Sequence, residues 1–215
     1  MNNSPPLEVK VWGEYACFTR PEMKVERVTY PVMTPSAARG ILEAIFWKPE
    51  FQWRVQEIWV LKPIKHFSIL RNEINSRQSH NSEAAQGGRY FADEDRAQRH
   101  SLVLRDVAYL IKADVEPIGA GNGEYAKYRD CFRRRTKSGQ CLHRPYLGCR
   151  EFAANFCAPD GTEVSIPVTD DLGLMLFDLD YRSDGTGGEP RFFNARLVQG
   201  VLKVPPDLYE RRAST

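Results

Sequence analysis

Leu7, Val9 and Val11 alternate with Glu8, Lys10 and Trp12, and this period of two predicts a half-buried strand that Gly13 ends. Residues 14–32 mix aromatic, charged and proline positions without a sustained period, so a loop with short extended pieces is expected there. Thr34-Pro35 then signals a helix start: a hydroxyl N-cap followed by proline at the first helical position, where the missing N–H costs nothing. Ala38, Ile41 and Ile45 recur at helical spacing and predict a helix ending near Trp47, ahead of Pro49. Gly40 lies inside that helix at a cost of about 1 kcal/mol relative to alanine. It is either tolerated or marks the close approach of another backbone.

Phe51, Trp53 and Val55 alternate, and Ile58 and Val60 resume the pattern out of phase, which predicts a bulged strand terminated by Pro63. Residues 66–100 are polar, poor in aliphatics and carry Gly87-Gly88; they read as a long excursion in the form of a mobile hairpin. Over 106–116 a strand returns, with Val107, Tyr109, Ile111, Ala113 and Val115 on one face. Residues 119–123 make a flexible connection into a second helix, on which Tyr125, Tyr128 and Phe132 form an aromatic stripe. Further strands are predicted over 147–156, over 164–168 and 172–181 as a hairpin around Asp170-Asp171, and over 191–204 before a polar tail.

Strand, helix, strand, excursion, strand, helix, strand, followed by strands only, is the order of a ferredoxin-like (RRM-like) domain. Its C-terminus carries an antiparallel β-sheet appendage, and the class is α+β. The implied division is a ferredoxin-like domain over 1–156, which contains the excursion at 66–100, and a small β domain with its tail over 157–215.

Composition narrows the function classes. The chain has 215 residues, enough to bury a core, and a mean hydropathy of -0.49. No apolar run approaches the roughly 20 residues needed to span a bilayer, and the opening MNNSPPLEVK has no apolar signal-peptide region. A cytoplasmic location without membrane attachment is expected. Cys17, Cys131, Cys141, Cys149 and Cys157 form no C-x-x-C pair, so reduced thiols are expected and no zinc site.

Charge is distributed unevenly. Residues 121–150 carry Lys127, Arg129, Arg133, Arg134, Arg135, Lys137, Arg144 and Arg150 against only Glu124 and Asp130, in a chain of net charge +2. Carboxylates gather instead over 158–190, where Arg182 is the lone basic residue. Positive charge collected on one segment is the footprint of a phosphate-binding protein.

His66, His80, His100 and His143 include no metal-spaced pair. Asp178 and Asp180 stand two apart on a predicted strand and share a face, a sparse ligand set for a divalent ion. No phosphate-binding P-loop, nucleophile elbow or dinucleotide fingerprint occurs. Helical periodicity puts Tyr128 on the core stripe and Lys127 on the neighbouring face with Cys131 and Arg134. A lysine beside a phenol near a helix start suits phosphate chemistry, because the ammonium stabilises a charged phosphorane and the phenol adds a directional hydrogen bond or proton. The following residues 136–140 form a loop whose N–H groups can hold a phosphate.

VKVWGEYACFT at 9–19, PSAARGILEAIFWKP at 35–49 and the basic helix leading to LGCREF at 147–152 resemble one family in order and spacing. It is the fifth Cas protein family of type I-C CRISPR systems, d subtype, a repeat-RNA-processing endoribonuclease, and the resemblance runs from residue 7 to about 204. It implies a ferredoxin-like domain with a smaller β domain, binding of the CRISPR repeat hairpin, and cleavage at its 3′ base. The implied chemistry uses no metal and no cofactor: a ribose 2′-OH attacks the adjacent phosphate and leaves a 2′,3′-cyclic phosphate. The family's catalytic group is a tyrosine just before W-K-P and a Lys-His pair at the start of the second helix. Here the lysine falls on Lys127, the histidine position on Tyr128 and the tyrosine position on Phe46.

These two departures matter, since a phenol with a pKa of about 10 is a poor general base at neutral pH. Lys127 and Tyr128 are therefore the candidate catalytic residues. Phe46, Arg129, Arg133, Arg134, Arg135, Lys137, His143 and Arg144 are the candidate RNA contacts. The expected partners are CRISPR repeat RNA, the mature crRNA, the other subunits of a type I-C interference complex and target DNA within it; the isolated chain is expected to be a monomer. Two other functions stand beside the endoribonuclease: a non-catalytic subunit holding the crRNA handle, and a divalent-dependent DNA nuclease using Asp178 and Asp180.

Overall fold

The computed structural model of the chain describes residues 5–23, 25–75, 91–118, 125–181 and 188–210. Gly87-Gly88, His80, the 119–123 connection, Arg182 and the end of the polar tail lie outside them.

Strand β1 (Leu7–Ala16) buries Leu7, Val9 and Val11, as its alternation predicts, but continues past Gly13. A Cβ on Gly13 would stand 2.6 Å from Leu147 Cδ1 and 3.1 Å from the Ala153 carbonyl oxygen. The glycine therefore admits a crossing loop, and the strand pairs straight through it. Helix α1 (Pro35–Ile45) begins where expected, with Thr34 extended and its hydroxyl accepting from the Ala37 N–H at 3.3 Å. It stops at Ile45, because Phe46 turns to extended backbone. Ala38, Ile41, Leu42 and Ile45 form its buried stripe.

Strand β2 (Phe51–Val60) carries the expected bulge, between Val55 and Glu57. The 66–100 excursion contains β3 (His66–Ile74) and the first part of β4 (Arg96–Pro117), paired from His66↔Leu104 to Ile74↔Arg96. This is the hairpin expected there: on one face Ile69, Arg71 and Glu73 of β3 are half-buried and Ser101 and Val103 of β4 are buried, while the other β3 side chains are exposed. Asp106, at φ 55, separates the ribbon half of β4 from the half inside the main sheet. There Val107, Tyr109, Ile111, Ala113 and Val115 enter the core.

Helix α2 (Tyr125–Ser138) follows, then β5 (Asn155–Cys157), β6 (Asp170–Tyr181), β7 (Gly188–Val198), β8 (Val201–Lys203) and a short helix, α3 (Asp207–Glu210). Three predicted strands are modified. Of 147–156 only the end is strand, since Gly148 (φ +85) turns with its Cα against the Cys17 carbonyl, where a Cβ would meet oxygen at 2.1 Å. Residues 164–168 form no strand, and Ile166 instead donates its N–H to Val60 at 2.9 Å. The stretch 191–204 is broken by Gln199 (φ 49) and Gly200 (φ 74), a two-residue turn that returns β8 onto β7.

The result is a mixed α/β architecture dominated by one antiparallel sheet of order β5-β1-β4-β2-β8-β7-β6, with β3 on the extension of β4. The C-terminal strands join that sheet through β2 and β8, from Glu57↔Lys203 to Trp59↔Val201. α1 buries its apolar stripe and α2 its Phe132 in the same core, where Trp53 of β2 meets Phe132 with ring centroids 4.7 Å apart. All five cysteines are free thiols, with Cys17 and Cys149 buried. Among the described residues no helix is long and apolar enough to cross a membrane.

Candidate active site

The inner face of α2 decides what its outer face presents. Phe132 and Thr136 are buried, and so is Arg129, at 3% exposure. Its guanidinium is held by the Asp114 carboxylate on β4 and by the Pro5 carbonyl. The buried line is therefore 129, 132 and 136, turned from the aromatic stripe that the apolar residues suggest. A charged residue is not counted toward a core face, yet a fully paired arginine occupies one here.

That rotation leaves Tyr128 at the flank, half-buried. Its ring packs at 5.1 Å from Phe51 and 6.3 Å from Phe46, centroid to centroid. Phe46, 3% exposed, is the residue where α1 ends; its carbonyl accepts from Trp53 Nε1 at 2.9 Å. Arg135 crosses from α2 to this corner, with its guanidinium carbon 5.3 Å from the Phe46 ring centre and Nη1 donating to the Ile45 carbonyl at 2.7 Å. A cation on the last carbonyls of a helix is favourable and fixes the two helix ends against each other.

Lys127, Tyr128, Asp130, Cys131 and Arg134 line one side of a depression of about 440 Å³, and Phe46 and Lys48 line the other. Lys127 Nζ stands 5.9 Å from the centre of the Tyr128 ring. Asp130 is engaged by Arg133 at 3.2 Å, and Arg134 Nη2 reaches Cys131 Sγ at 3.8 Å. The three cations Lys48, Lys127 and Arg134 thus outnumber the one carboxylate on the lining. Chemically, the depression can bind a phosphodiester and stabilise extra negative charge on it.

The residues singled out by sequence divide into two groups. Phe46, Lys127, Tyr128 and Arg134 come together at the depression. Arg133, Lys137, His143 and Arg144 are exposed near it or on the loop that leaves α2, where the Leu142 and His143 N–H groups donate to the Ala44 carbonyl at 2.8 and 3.3 Å. Arg129 and Arg135 do not present free charge: one is buried in an ion pair, the other caps α1. Lys48 went unnoticed as a site residue, and Trp47 beside it is 49% exposed. The signal was the helix stop itself, because the extended Phe46 turns the next two side chains outward.

Asp178 and Asp180 do not form an open ion site. Asp178 is buried and accepts from Arg39 Nη2 at 2.8 Å, while Asp180 pairs with Arg191 at 3.5 Å. A register shift between Leu176 and Asp178 puts Phe177 and Asp178 both inside, and Asp180 is 48% exposed.

The fold and site define a single-sheet α/β protein with a cationic depression where the end of α1 meets α2. Residues 6–205 match the family model described as CRISPR-associated protein (Cas_Cas5), d subtype, and the chain belongs to this Cas5d family. It is 48% identical over 220 residues to a protein of Thermus thermophilus named CRISPR pre-crRNA endoribonuclease Cas5d, covering 95% of this chain and 93% of that one. A protein of the same name from Mannheimia succiniciproducens is 45% identical over 217 residues, covering 93% and 95%. Among solved structures, a CRISPR-associated protein matches with a TM-score of 0.68 at 24% identity, over 94% of this chain and 92% of that one, a likeness of fold.

Proposed function

We propose that the chain is a pre-crRNA endoribonuclease that cuts the CRISPR repeat at the 3′ base of its hairpin and keeps the 5′ handle. The observation that carries this reading is the meeting of Phe46 with Lys127 and Tyr128 around one cationic depression, although they lie some 80 positions apart in the chain. The family membership and the names of the two relatives support the same reaction. The order β5-β1-β4-β2, with α1 after β1 and α2 after β4, supports reading this part as a ferredoxin-like unit with β6–β8 as its extension.

In the proposed reaction a ribose 2′-OH attacks the adjacent phosphorus, the P–O5′ bond breaks, and the products are a 2′,3′-cyclic phosphate and a 5′-hydroxyl. Lys127 stabilises the charge that builds on the phosphorane oxygens, with Lys48 and Arg134 holding the flanking backbone. The Tyr128 phenol donates a hydrogen bond to a phosphate oxygen. Among the described residues, the lining of the depression carries no histidine to act as a general base, so the reaction is slow; the proposed chemistry uses no metal. After cutting, the RNA stays on Arg133, Lys137, His143 and Arg144 and passes with the protein into a type I-C interference complex.

A second reading, a handle-holding subunit without activity, is favoured by one observation: Tyr128 packs against Phe46 and Phe51 as a core aromatic would. Incubating the protein with labelled repeat RNA in excess EDTA separates the readings. Cleavage that a single 2′-deoxy substitution at the scissile nucleotide abolishes is the expected result. Binding without cleavage supports the second reading, and a strict Mg²⁺ requirement overturns the mechanism.

A further inference from the structure

Gly40 stands in the middle of α1, where glycine weakens a helix relative to alanine. Nothing repays that weakness internally. A Cβ built on Gly40 meets no atom within 4 Å, so no neighbouring backbone or side chain needs the space. The space opens instead into a second cleft, of about 550 Å³, between α1, β6 and the loop at 146–148.

The lining of this cleft is unlike that of the first depression. Arg39 donates to Glu43 at 2.7 Å and to Asp178 at 2.8 Å, so one cation faces two carboxylates and the local balance is negative. The Arg39 Nε is buried and has no hydrogen-bond partner. Ser36 adds a hydroxyl and Tyr146, 37% exposed, an aromatic face. A phosphate would be repelled here. A planar, uncharged group that offers N–H donors to the partly exposed Glu43 carboxylate and a face to Tyr146 is what these residues recognise.

The cleft and the cationic depression both border α1, the first at Gly40 and the second at Phe46 just past its end. Gly40 and Phe46 are six residues apart, about 9 Å along a helix axis at 1.5 Å per residue. The segment that carries exposed His143 and Arg144 is tied by its N–H groups to Ala44, between the two, and ends at Tyr146 on the cleft. A nucleic-acid backbone can lie on that segment while one base turns aside.

We infer that the Gly40 cleft takes one unpaired nucleobase of the bound RNA, stacked on Tyr146 and hydrogen-bonded to the Arg39–Glu43–Asp178 group. This rests on the RNA-binding reading above, and it adds a base-reading site to a surface otherwise described only by its charge.

The test is an abasic scan. Repeat RNA made uncleavable by a 2′-deoxy scissile nucleotide is bound to wild-type protein, to Gly40→Ala and to Gly40→Leu, with single abasic substitutions moved through its unpaired positions. Wild-type protein should lose about tenfold in affinity at one position, the loss expected of one stacked base. Gly40→Leu should bind intact RNA about tenfold more weakly and be indifferent to the abasic substitution at that position. Gly40→Ala should melt about 2–4 °C higher, because the helix gains propensity and nothing clashes. If wild-type protein does not bind repeat RNA, the RNA-binding reading itself fails. If it binds and Gly40→Leu binds equally well, or weakens without losing the position-specific penalty, the nucleobase assignment is overturned. A lowered melting temperature for Gly40→Ala would show that the glycine serves packing, and would overturn the argument from open space.

Discussion

The rings of Phe46 and Tyr128 meet with centroids 6.3 Å apart, one from the end of α1 and the other from the first turns of α2. These are the two positions at which the resemblance implies a tyrosine and a histidine, and they are neighbours. A hydroxyl restored on one and an imidazole on the other would therefore fall at the same depression. Phe46→Tyr with Tyr128→His should raise the single-turnover cleavage rate of repeat RNA by about 10²-fold, the usual contribution of a positioned proton-transfer group. A rate unchanged in the double variant, with RNA affinity intact, would remove this corner from the reaction.

Lys127 is expected to matter more than Tyr128. In the proposed reaction its ammonium acts on charge that appears only in the transition state, so Lys127→Ala should lower the single-turnover rate by about 10²–10³-fold. Tyr128→Phe keeps the aromatic packing against Phe51 and should cost less than tenfold. Equal rates for Lys127→Ala and wild type under saturating protein would mean that the site is elsewhere.

Two arginines five positions apart on α2 should behave oppositely. Arg134 lines the depression, and Arg134→Glu should weaken RNA binding and flatten its salt dependence, from a log–log slope of about −3 to −4 for five phosphate contacts. Arg129→Met instead leaves Asp114 without its cation in a part-buried setting. It should cost about 3 kcal/mol of stability and lower the melting temperature, with the salt slope unchanged once the protein is folded. A reversed outcome, Arg129 altering the slope and Arg134 only stability, would contradict the orientation of α2.

A pH effect is expected at the other side of the sheet. Burial disfavours the charge on Glu163, but the bond from Lys10 at 3.1 Å and the N–H groups of Asp160 and Gly161 outweigh it and hold the carboxyl below its ordinary value. A carboxyl lowered on folding contributes stability that is full above its unfolded value, about 4.3, and is lost as pH falls through the folded value. Glu163→Gln should thus cost about 1 kcal/mol at pH 7, and its unfolding midpoint should converge with that of wild type below about pH 4. Denaturant unfolding across that range tests it, and a gap that widens toward acid would be inconsistent with the assignment.

The local pattern determined much of this protein. Alternation marked β1, β2 and the buried half of β4, the Thr34-Pro35 pair marked the start of α1, and the bulge after Val55 was visible as a change of phase. Each is a short-range consequence of backbone geometry, in which one face is dry and the next wet. The family motifs, likewise, pointed to Phe46, Lys127 and Tyr128. Tertiary structure alone decided the rest. Gly13, which looked like the end of a strand, and Gly148, inside a predicted strand, are places where another segment crosses within contact distance, which no local pattern encodes. The 66–100 excursion was read as a hairpin, but the position of its strands, β3 and the first part of β4, was set by pairing that the local pattern does not encode. Of the basic residues on α2, composition could not say which faced outward. Asp114 on β4 drew Arg129 into the interior and the Ile45 carbonyl held Arg135, leaving Lys127 and Arg134 beside Lys48 at the depression. Charge is a property of the residue, but whether it sits in the interior or on the lining of a depression depends on what the fold brings next to it.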